Sequence, residues 1–435
     1  MTYVRLPNLS SGDDGKEVTV AGWAEDVRNL GGIAFVILRQ REGTLQLAVR
    51  KKEHPAVFDL VTGLTRESVI AAKGVLKANA QARNGWEIFP TQIDVLSKAE
   101  APLPLGVVDK VGADMDTRLD NRVMDLRKPE RRAIFHVRDL ILRGIREYLH
   151  RQGFVEVHTP KLSGAGAEGG ATLFRTDYFG TPAYLSQSPQ LYKQMLMATG
   201  LDRVFEVAPA FRAEPSDTVR HVTEFVSFDG ELAPIESQED VLRVLEGCVA
   251  HAIGFAKEHG AEALKILGVE PKVPALPLPR VRYPEALAIV AAEGKTVRDG
   301  DDLDTEAEKV LGRAMAAKGH EMYFLTEYPS AIKPFYVMAN EERPAASHSF
   351  DLEYKGDEMA SGGQREHRYD RLVARMAAMG LKPESFEFYL RAFRYGMPPH
   401  GGWGLGVDRL VQKVLDLPNI REAILFPRDR NRLAP

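Results

Sequence analysis

Two short segments carry the residues best suited to chemistry on a polyanion. Residues 205–225 read FEVAPAFRAEPSDTVRHVTEF, and residues 401–409 read GGWGLGVDR. The first places Arg212 and Glu214 before a polar loop, with Arg220, His221, Glu224 and Phe225 beyond it. Arg suits phosphate or carboxylate because its planar fork makes paired hydrogen bonds to two oxygens. The second places Gly402, Gly404 and Gly406 ahead of Arg409. Small residues there let the backbone approach a ligand or a neighbouring element closely. A third segment, FDLEYKGDE, holds Asp351 and Glu358. On adjacent antiparallel strands these carboxylates could face one cavity, and hard oxygen ligands that leave room for water suit Mg²⁺. A plainer reading stays open at each place. Arg212 and Arg409 could be buried ion-pair partners, Phe225 could be core, and LEYKGDE could be a solvated hairpin loop.

Such residues need elements to position them. The apolar runs on either side of the 212–220 loop predict an antiparallel hairpin. Leu410 to Leu417 reads as the start of a helix. Residues 16–100 are β-rich: EVTVAGW, AFVILR and TLQLAVR all alternate, and QREG between the last two is a turn. A turn over Gln40 to Gly43 pairs Arg39 with Thr44, Ile37 with Gln46 and Phe35 with Ala48. Phe35 and Gln46 then share one face. An aromatic beside an amide can stack on one base and read its edge, although Phe35 could equally be core. Short strands at this spacing suggest a small barrel of the oligonucleotide-binding type. A connector from about Lys98 to Met124 carries Pro102, Pro104, Gly106 and Gly112 with little periodicity. Pro129 then opens a helix in which Ile134, Val137, Ile141, Ile145 and Tyr148 recur at three and four. Beyond it strands and helices mix without a βαβ rhythm, which argues against a doubly wound parallel sheet. The chain has no GxxxxGK[ST] loop and no GxGxxG between a strand and a helix. ATP would therefore need a different scaffold.

The bulk properties exclude several classes. A length of 435 residues predicts two domains, and 44% hydrophobic with 27% charged residues is ordinary for a globular chain. The first residues lack an apolar h-region, and no long apolar run follows, so neither a signal peptide nor a membrane span is expected. The lone Cys248 lies in the apolar-periodic VLRVLEGCVAHAIGFA and reads as core. One cysteine allows no internal disulfide and no cysteine-rich zinc site, and a cytoplasmic setting is the default. A net charge of −4 does not advertise a nucleic-acid binder. Phosphate contact depends on local Lys and Arg, which cluster here between Arg118 and Arg151.

Taken in this order, about 190 residues apart, the 205–225 and 401–409 segments resemble motifs 2 and 3 of the class II aminoacyl-tRNA synthetases. GFVEVHTPKL at 153–162 resembles motif 1. SQSPQLYKQ at 186–194 and EMASGGQREHR at 358–368 resemble the amino-acid pocket of aspartyl-tRNA synthetases. The last fifty residues are similar to the compact archaeal-type form. The resemblance spans nearly the whole chain and is least specific over 232–330. It implies an α+β fold: a five-stranded anticodon-binding barrel over 1–100, a hinge over 101–125, and a catalytic domain over 126–435. That domain would be built on an antiparallel sheet flanked by helices. It also implies ATP-dependent attachment of L-aspartate to tRNA-Asp, and to tRNA-Asn as well, through an aspartyl-adenylate. Mg²⁺ would accompany ATP, and motif 1, around Pro160, would form a homodimer.

Residue by residue, the resemblance gives Arg212 to the α-phosphate and the substrate carboxylate, and Arg409 to the γ-phosphate and adenine. Phe225 would stack on the other adenine face, Glu214 would meet the adenine amino group, and His221 the phosphate tail. Asp351, Glu358 and Ser361 would hold the metal, with Glu358 also at ATP and Ser361 also at aspartate. Arg365 and Lys193 would pair with the substrate β-carboxylate, while Glu168 and Gln190 would meet the ammonium side. Tyr336 would line the same pocket, and Gly164, Gly166, Gly169 and Gly170 would loosen a lid. Lys193 could instead snorkel outward from its helix. In the barrel, Phe35, Gln46 and Arg28 would read the anticodon. Two positions depart from the family. Asp408 stands where relatives often carry Glu. Glu25 stands, at the end of the first strand, where strict readers of tRNA-Asp tend to carry Trp and relaxed ones often His; it matches neither, and the lack of Trp leans toward the relaxed form. A strictly discriminating aspartate–tRNA ligase and an asparaginyl or lysyl enzyme are the alternatives within the class; Arg365 argues against the last two. A barrel-less amide-forming paralogue and an inactive RNA-binding relative are the readings outside it. Pyrophosphate exchange would separate the inactive relative from the enzymes.

Overall fold

Alternation along the first strands closes them into a barrel. In a computed structural model, which describes residues 3–108, 112–164, 172–213 and 218–434, the chain divides into two units, Met1–Lys128 and Pro129–Pro435. Strands β1 (Glu17–Asn29), β2 (Ile33–Gln40), β3 (Gly43–Arg50), β4 (Val69–Ala78) and β5 (Trp86–Ser97) close in the order β1-β2-β3-β5-β4. Val36, Leu38, Leu45, Leu47 and Ile88 point inward, and the helix Pro55–Thr62 adds Phe58 and Val61 to that core. Phe35 and Ile37 alternate outward and are half-buried, so Phe35 is not barrel core. The hairpin register is the expected one: Arg39 opposite Thr44, Ile37 opposite Gln46, Phe35 opposite Ala48. The stretch read as a featureless connector contains two short helices, Met115–Asp120 and Arg122–Asp125. Asp125, fully buried, ties them together by accepting from Arg118 and Arg122. Helices this short leave no periodicity to read.

The second unit is built on an eight-stranded sheet. Its strands are β6 (Val155–Glu156), β10 (Arg203–Phe211), β11 (Glu224–Leu232), β12 (Arg280–Arg282), β13 (Met322–Thr326), β14 (Ser349–Tyr354), β15 (Asp357–Gln364) and β16 (Gly401–Gly406). They run in the order β12-β13-β14-β15-β16-β11-β10-β6. Only the outer pairs, β12 with β13 and β6 with β10, are parallel. A small sheet of β7 (Leu162–Ser163), β8 (Arg175–Tyr178) and β9 (Thr181–Leu185) lies apart. The helices Pro129–Arg151 and Gln238–His259 bury their apolar stripes against Phe205, Phe228, Phe350 and Trp403 of the large sheet. Ile134, Val137, Ile141 and Ile145 are buried as their spacing predicts, and Tyr148 is half-buried. Cys248 is core, and burial pushes its thiol well above the ordinary range. Among the described residues no helix is long and apolar enough to cross a membrane.

Close strand approach explains the glycine run. A Cβ on Gly402 would sit 2.1 Å from the Gly230 carbonyl and from a Glu231 carboxylate oxygen. One on Gly230 would sit 2.3 Å from the Trp403 ring. The helix after this strand begins at Val407 rather than Leu410, so Arg409 stands in its first turn.

Candidate active site

The two runs of 205–211 and 224–232 pair as β10 and β11, with Phe211 opposite Glu224. β16 lies on the far side of β11, pairing Gly404 with Asp229 and Gly406 with Ser227. This places Arg212 and Arg409 over one cavity of about 380 Å³, whose lining also includes Phe225, His221, Glu358 and Arg365. Exposed Arg212 stands over the Phe225 ring at 5.2 Å. Arg409 donates to the Glu358 carbonyl at 2.6 Å. Neither arginine is buried, and half-buried Phe225 is cavity wall rather than core. His221 meets Thr218 at 2.6 Å. Arg220 turns to Asp357 and to Thr305. Glu214 lies outside the described residues, as do Glu168, Gly166, Gly169 and Gly170.

β14 and β15 set the carboxylates. Lys355 and Gly356, both at positive φ, make the tight turn between them. Glu358 then falls opposite Glu353. A bulge follows, so that Ser361 pairs with Asp351. Glu358 and Ser361 are three apart, and strict alternation would aim them at opposite faces. The extra residue, Met359, restores Ser361 to the face of Asp351 and Glu358. These carboxylates are not a solvated loop: Asp351 is 4% exposed and Glu353 2%. Burial pushes the Glu358 carboxyl up, with the charge of Asp351 adding to it. Asp351 Oδ2 accepts from Lys333 at 3.1 Å, while its Oδ1 is buried without a hydrogen-bond partner. Among the described residues no group of three or more His, Cys, Asp and Glu is arranged to hold a metal. Two carboxylates, one of them with an orphaned buried oxygen, and a hydroxyl still form a hard donor set of the kind that completes its shell with phosphate and water.

Arg365 and Lys193, expected to pair with the substrate β-carboxylate, both have protein partners; Arg365 lines the cavity and Lys193 is buried. Arg365 makes a bidentate pair with Glu231 at 2.9 and 3.2 Å. Lys193 donates to Asp229 at 2.9 Å and to the Trp403 carbonyl at 2.6 Å, and it does not snorkel, being 3% exposed. Arg365 still has three of its five N–H donors uncommitted to Glu231, and it lines the cavity beside Tyr336. Gln190 also lines it, its amide nitrogen buried without a partner. That atom is a donor, so it suits a ligand oxygen; only the amide oxygen could serve an ammonium group.

On the barrel, a second cavity of about 470 Å³ is lined by Glu25, Arg28, Ile37, Gln46, Arg83 and Trp86, among others. Phe35 pairs with Arg28 across β1. Gln46 donates to Glu87 at 2.8 Å. Glu25 is not at a strand end: β1 continues to Asn29, and Glu25 occupies a bulge within it. There it accepts from Arg39 at 3.1 Å, and Arg39 is held in turn by Glu67.

The profile described as "tRNA synthetases class II (D, K and N)" matches residues 114–430. The chain belongs to this family. An OB-fold nucleic acid binding domain matches residues 18–96. The chain is 53% identical to the "Aspartate--tRNA(Asp) ligase" of Thermococcus kodakarensis over 424 residues, 97% of each chain. It is 50% identical to the "Aspartate--tRNA(Asp/Asn) ligase" of Methanocorpusculum labreanum, over 96% of each. The asparaginyl-tRNA synthetase of Pyrococcus horikoshii, solved with asparaginyl-adenylate, superposes with a TM-score of 0.93 at 34% identity, covering all of both chains.

For a class II synthetase, the sequence reading missed several residues at the site. Asp229 and Glu231 are buried charges two apart on the apolar β11, and that pattern in FDGEL was a usable signal. Lys333 follows the 3-10 turn Ser330–Ile332 and has no periodic context. Glu308 belongs to the helix Thr305–Ala317, which in sequence reads as an ordinary charged helix face. Asp408 is buried and accepts from Arg138 at 2.6 Å and from the Val226 N–H at 2.8 Å.

Proposed function

We propose that this chain activates L-aspartate with ATP and transfers it to tRNA-Asp, and to tRNA-Asn as well. The observation that carries the reading is the pairing of a two-arginine cavity, Arg212 and Arg409, with a guanidinium at its floor that keeps donors for one more carboxylate. Full-length similarity to aspartate–tRNA ligases of both kinds supports it.

In this reading the α-carboxylate of aspartate attacks the α-phosphorus of ATP. A carboxyl–phosphorus bond forms, the bond to the β-phosphate oxygen breaks, and pyrophosphate leaves. The terminal tRNA hydroxyl then attacks the activated carbonyl, and AMP leaves. Arg212 holds the two reacting anions together and offsets charge on the five-coordinate phosphorus. Phe225 and Arg409 sandwich the adenine, and His221 meets the phosphate tail. Asp351, Glu358 and Ser361 would hold Mg²⁺, which when bound neutralises phosphate charge. Arg365, oriented by Glu231, takes the side-chain carboxylate, and Gln190 takes a further substrate oxygen. The β-rich unit reads the anticodon through Phe35, Gln46 and Arg28.

The tRNA range follows from Glu25. Its carboxylate is engaged by Arg39 and offers no stacking surface, so the contact that an aromatic would supply is missing. A base contact is worth about 1–3 kcal/mol, so the preference for tRNA-Asp shrinks to roughly tenfold or less. Motif 1 residues Val157 and Pro160, with Tyr192, Leu196, Phe388 and Tyr395, line an apolar groove of about 690 Å³. This groove is where a cytoplasmic homodimer would close.

Two assays test the reading. With Mg²⁺, pyrophosphate should exchange into ATP with L-aspartate and more weakly with L-asparagine. Because Glu231 and Asp229 already balance the floor cations, the discrimination reduces to one charge-assisted contact, about 2–3 kcal/mol or roughly a hundredfold. Equal exchange with both amino acids would overturn the aspartate assignment. Labelled aspartate should charge purified tRNA-Asp and tRNA-Asn within about tenfold of each other. A hundredfold preference would remove the relaxed form and leave the strict one.

A further inference from the structure

Lys333 lies outside every motif recognised in the sequence. Its ammonium lies 3.6 Å from the centre of the Tyr328 ring and 3.1 Å from Asp351 Oδ2, and it lines the nucleotide cavity. Its surroundings are packed and hydrogen-bonded. Tyr328 is 3% exposed, and Arg375 donates to the Ser330 carbonyl at 2.8 Å and the Lys333 carbonyl at 3.2 Å. The carboxylate it grips is divided. Oδ2 is taken by the ammonium, and Oδ1 is buried without a partner, on the face shared with Glu358 and Ser361.

We propose that Lys333 is a fixed counter-cation that makes the divalent ion arrive with the nucleotide rather than ahead of it. The proposal rests on the reading of Asp351, Glu358 and Ser361 as the ion's seat. In the free protein that seat has two carboxylates facing Lys333, with Arg212 and Arg409 over the same cavity. A bare divalent ion would enter beside an ammonium that already grips Asp351, with two guanidinium groups over the same cavity. Like charges a few ångströms apart inside a protein repel strongly. ATP brings phosphate oxygens that offset the repulsion from Lys333, and the ion then meets them as well as Asp351 Oδ1. Lys333 holds Oδ2 and keeps Oδ1 presented throughout, as outer partners of metal ligands do.

Mn²⁺ binding followed by electron paramagnetic resonance tests this without turnover. In the absence of nucleotide, Lys333→Met and Lys333→Gln should bind Mn²⁺ about tenfold or more tightly than wild type. Lys333→Arg should bind as wild type does, and Glu358→Gln combined with Lys333→Met should lose the gain. Melting curves confirm that each variant is folded, and two neutral replacements guard against one failing to fold. Unchanged or weaker Mn²⁺ binding by folded Lys333→Met overturns the proposal and makes Lys333 a brace for Asp351. A control with α,β-methylene ATP isolates the seat. If Glu358→Gln leaves that ternary Mn²⁺ complex intact, the seat itself is wrong, and the proposal falls with it.

Discussion

Glu308 shows what a single residue does when its charge is hard to place. Its side chain is 20% exposed and 3.7 Å from Arg220. Burial pushes its carboxyl up to about 7, the charge of Glu358 adds to the rise, and Arg220 opposes it. A raised acid favours folding in its protonated form. Its contribution is fully present below the unfolded value of 4.5 and is lost as pH rises through about 7. Glu308→Gln is neutral at every pH. Without nucleotide or metal, its stability relative to wild type should grow between pH 4.5 and 7, by on the order of 3 kcal/mol. Denaturation of the pair at pH 4, 6 and 8 measures this, and a constant difference would refute the assigned shift. Nothing in TEAEKVLGRA announces the effect, because the neighbours that raise this carboxyl come from other elements. Arg212, Arg409 and Phe225 were legible because motif order places them. The partners of Arg365 and Lys193 were not, since a cation in a sequence does not declare which carboxylate will reach it.

Elements decide how closely such partners meet. β11 and β16 approach through Gly230 and Gly402, and that approach seats Glu231 under Arg365. Gly402→Ala would place a methyl 2.1 Å from the Glu231 carboxylate and from backbone. Overpacking of this kind costs about 1–3 kcal/mol, and Glu231 must shift off Arg365. The variant should therefore melt lower, and its KM for aspartate should rise more than its KM for ATP. Gly406→Ala is the control for stability: its new Cβ would meet Arg409 Cβ at an ordinary 3.5 Å, so its melting point should stay near wild type. Equal melting points for the two variants would show that this strand pair tolerates a side chain. The barrel strands and the motif 2 hairpin were legible because period-two alternation and turn residues specify register directly. The bulge that returns Ser361 to the face of Asp351 and Glu358 was not. It breaks that period by one residue, and a strict alternation count puts Ser361 on the wrong side. The bulge at Glu25 hid the same way, inside a strand that continues past it.

At the scale of the whole molecule, the apolar groove over motif 1 is the feature that one chain leaves unfinished. Its rim carries Tyr395 at 77% exposure and Phe388 at 38%. Single exposed apolar residues are ordinary, but a lined groove marks a surface built to be covered. Motif 1 was recognisable in sequence from GFVEVHTPKL, whereas Phe388 and Tyr395 join it only through folding, about 230 residues later. A closed two-fold pair is the simplest assembly that covers the same groove on both copies. Sedimentation at micromolar concentration should therefore give a particle of twice 48.3 kDa. Tyr395→Glu places a charge on that rim, where a closed interface would have to bury it unpaired. It should shift the protein toward monomer without lowering the melting point of the barrel. The described lining of the active cavity comes from one chain. Loss of exchange activity in the monomeric variant would then mean that the partner holds the β10–β11 hairpin in place, since β6 of motif 1 pairs directly with β10. A wild-type monomer at these concentrations would instead leave the groove for a different partner and remove the homodimer.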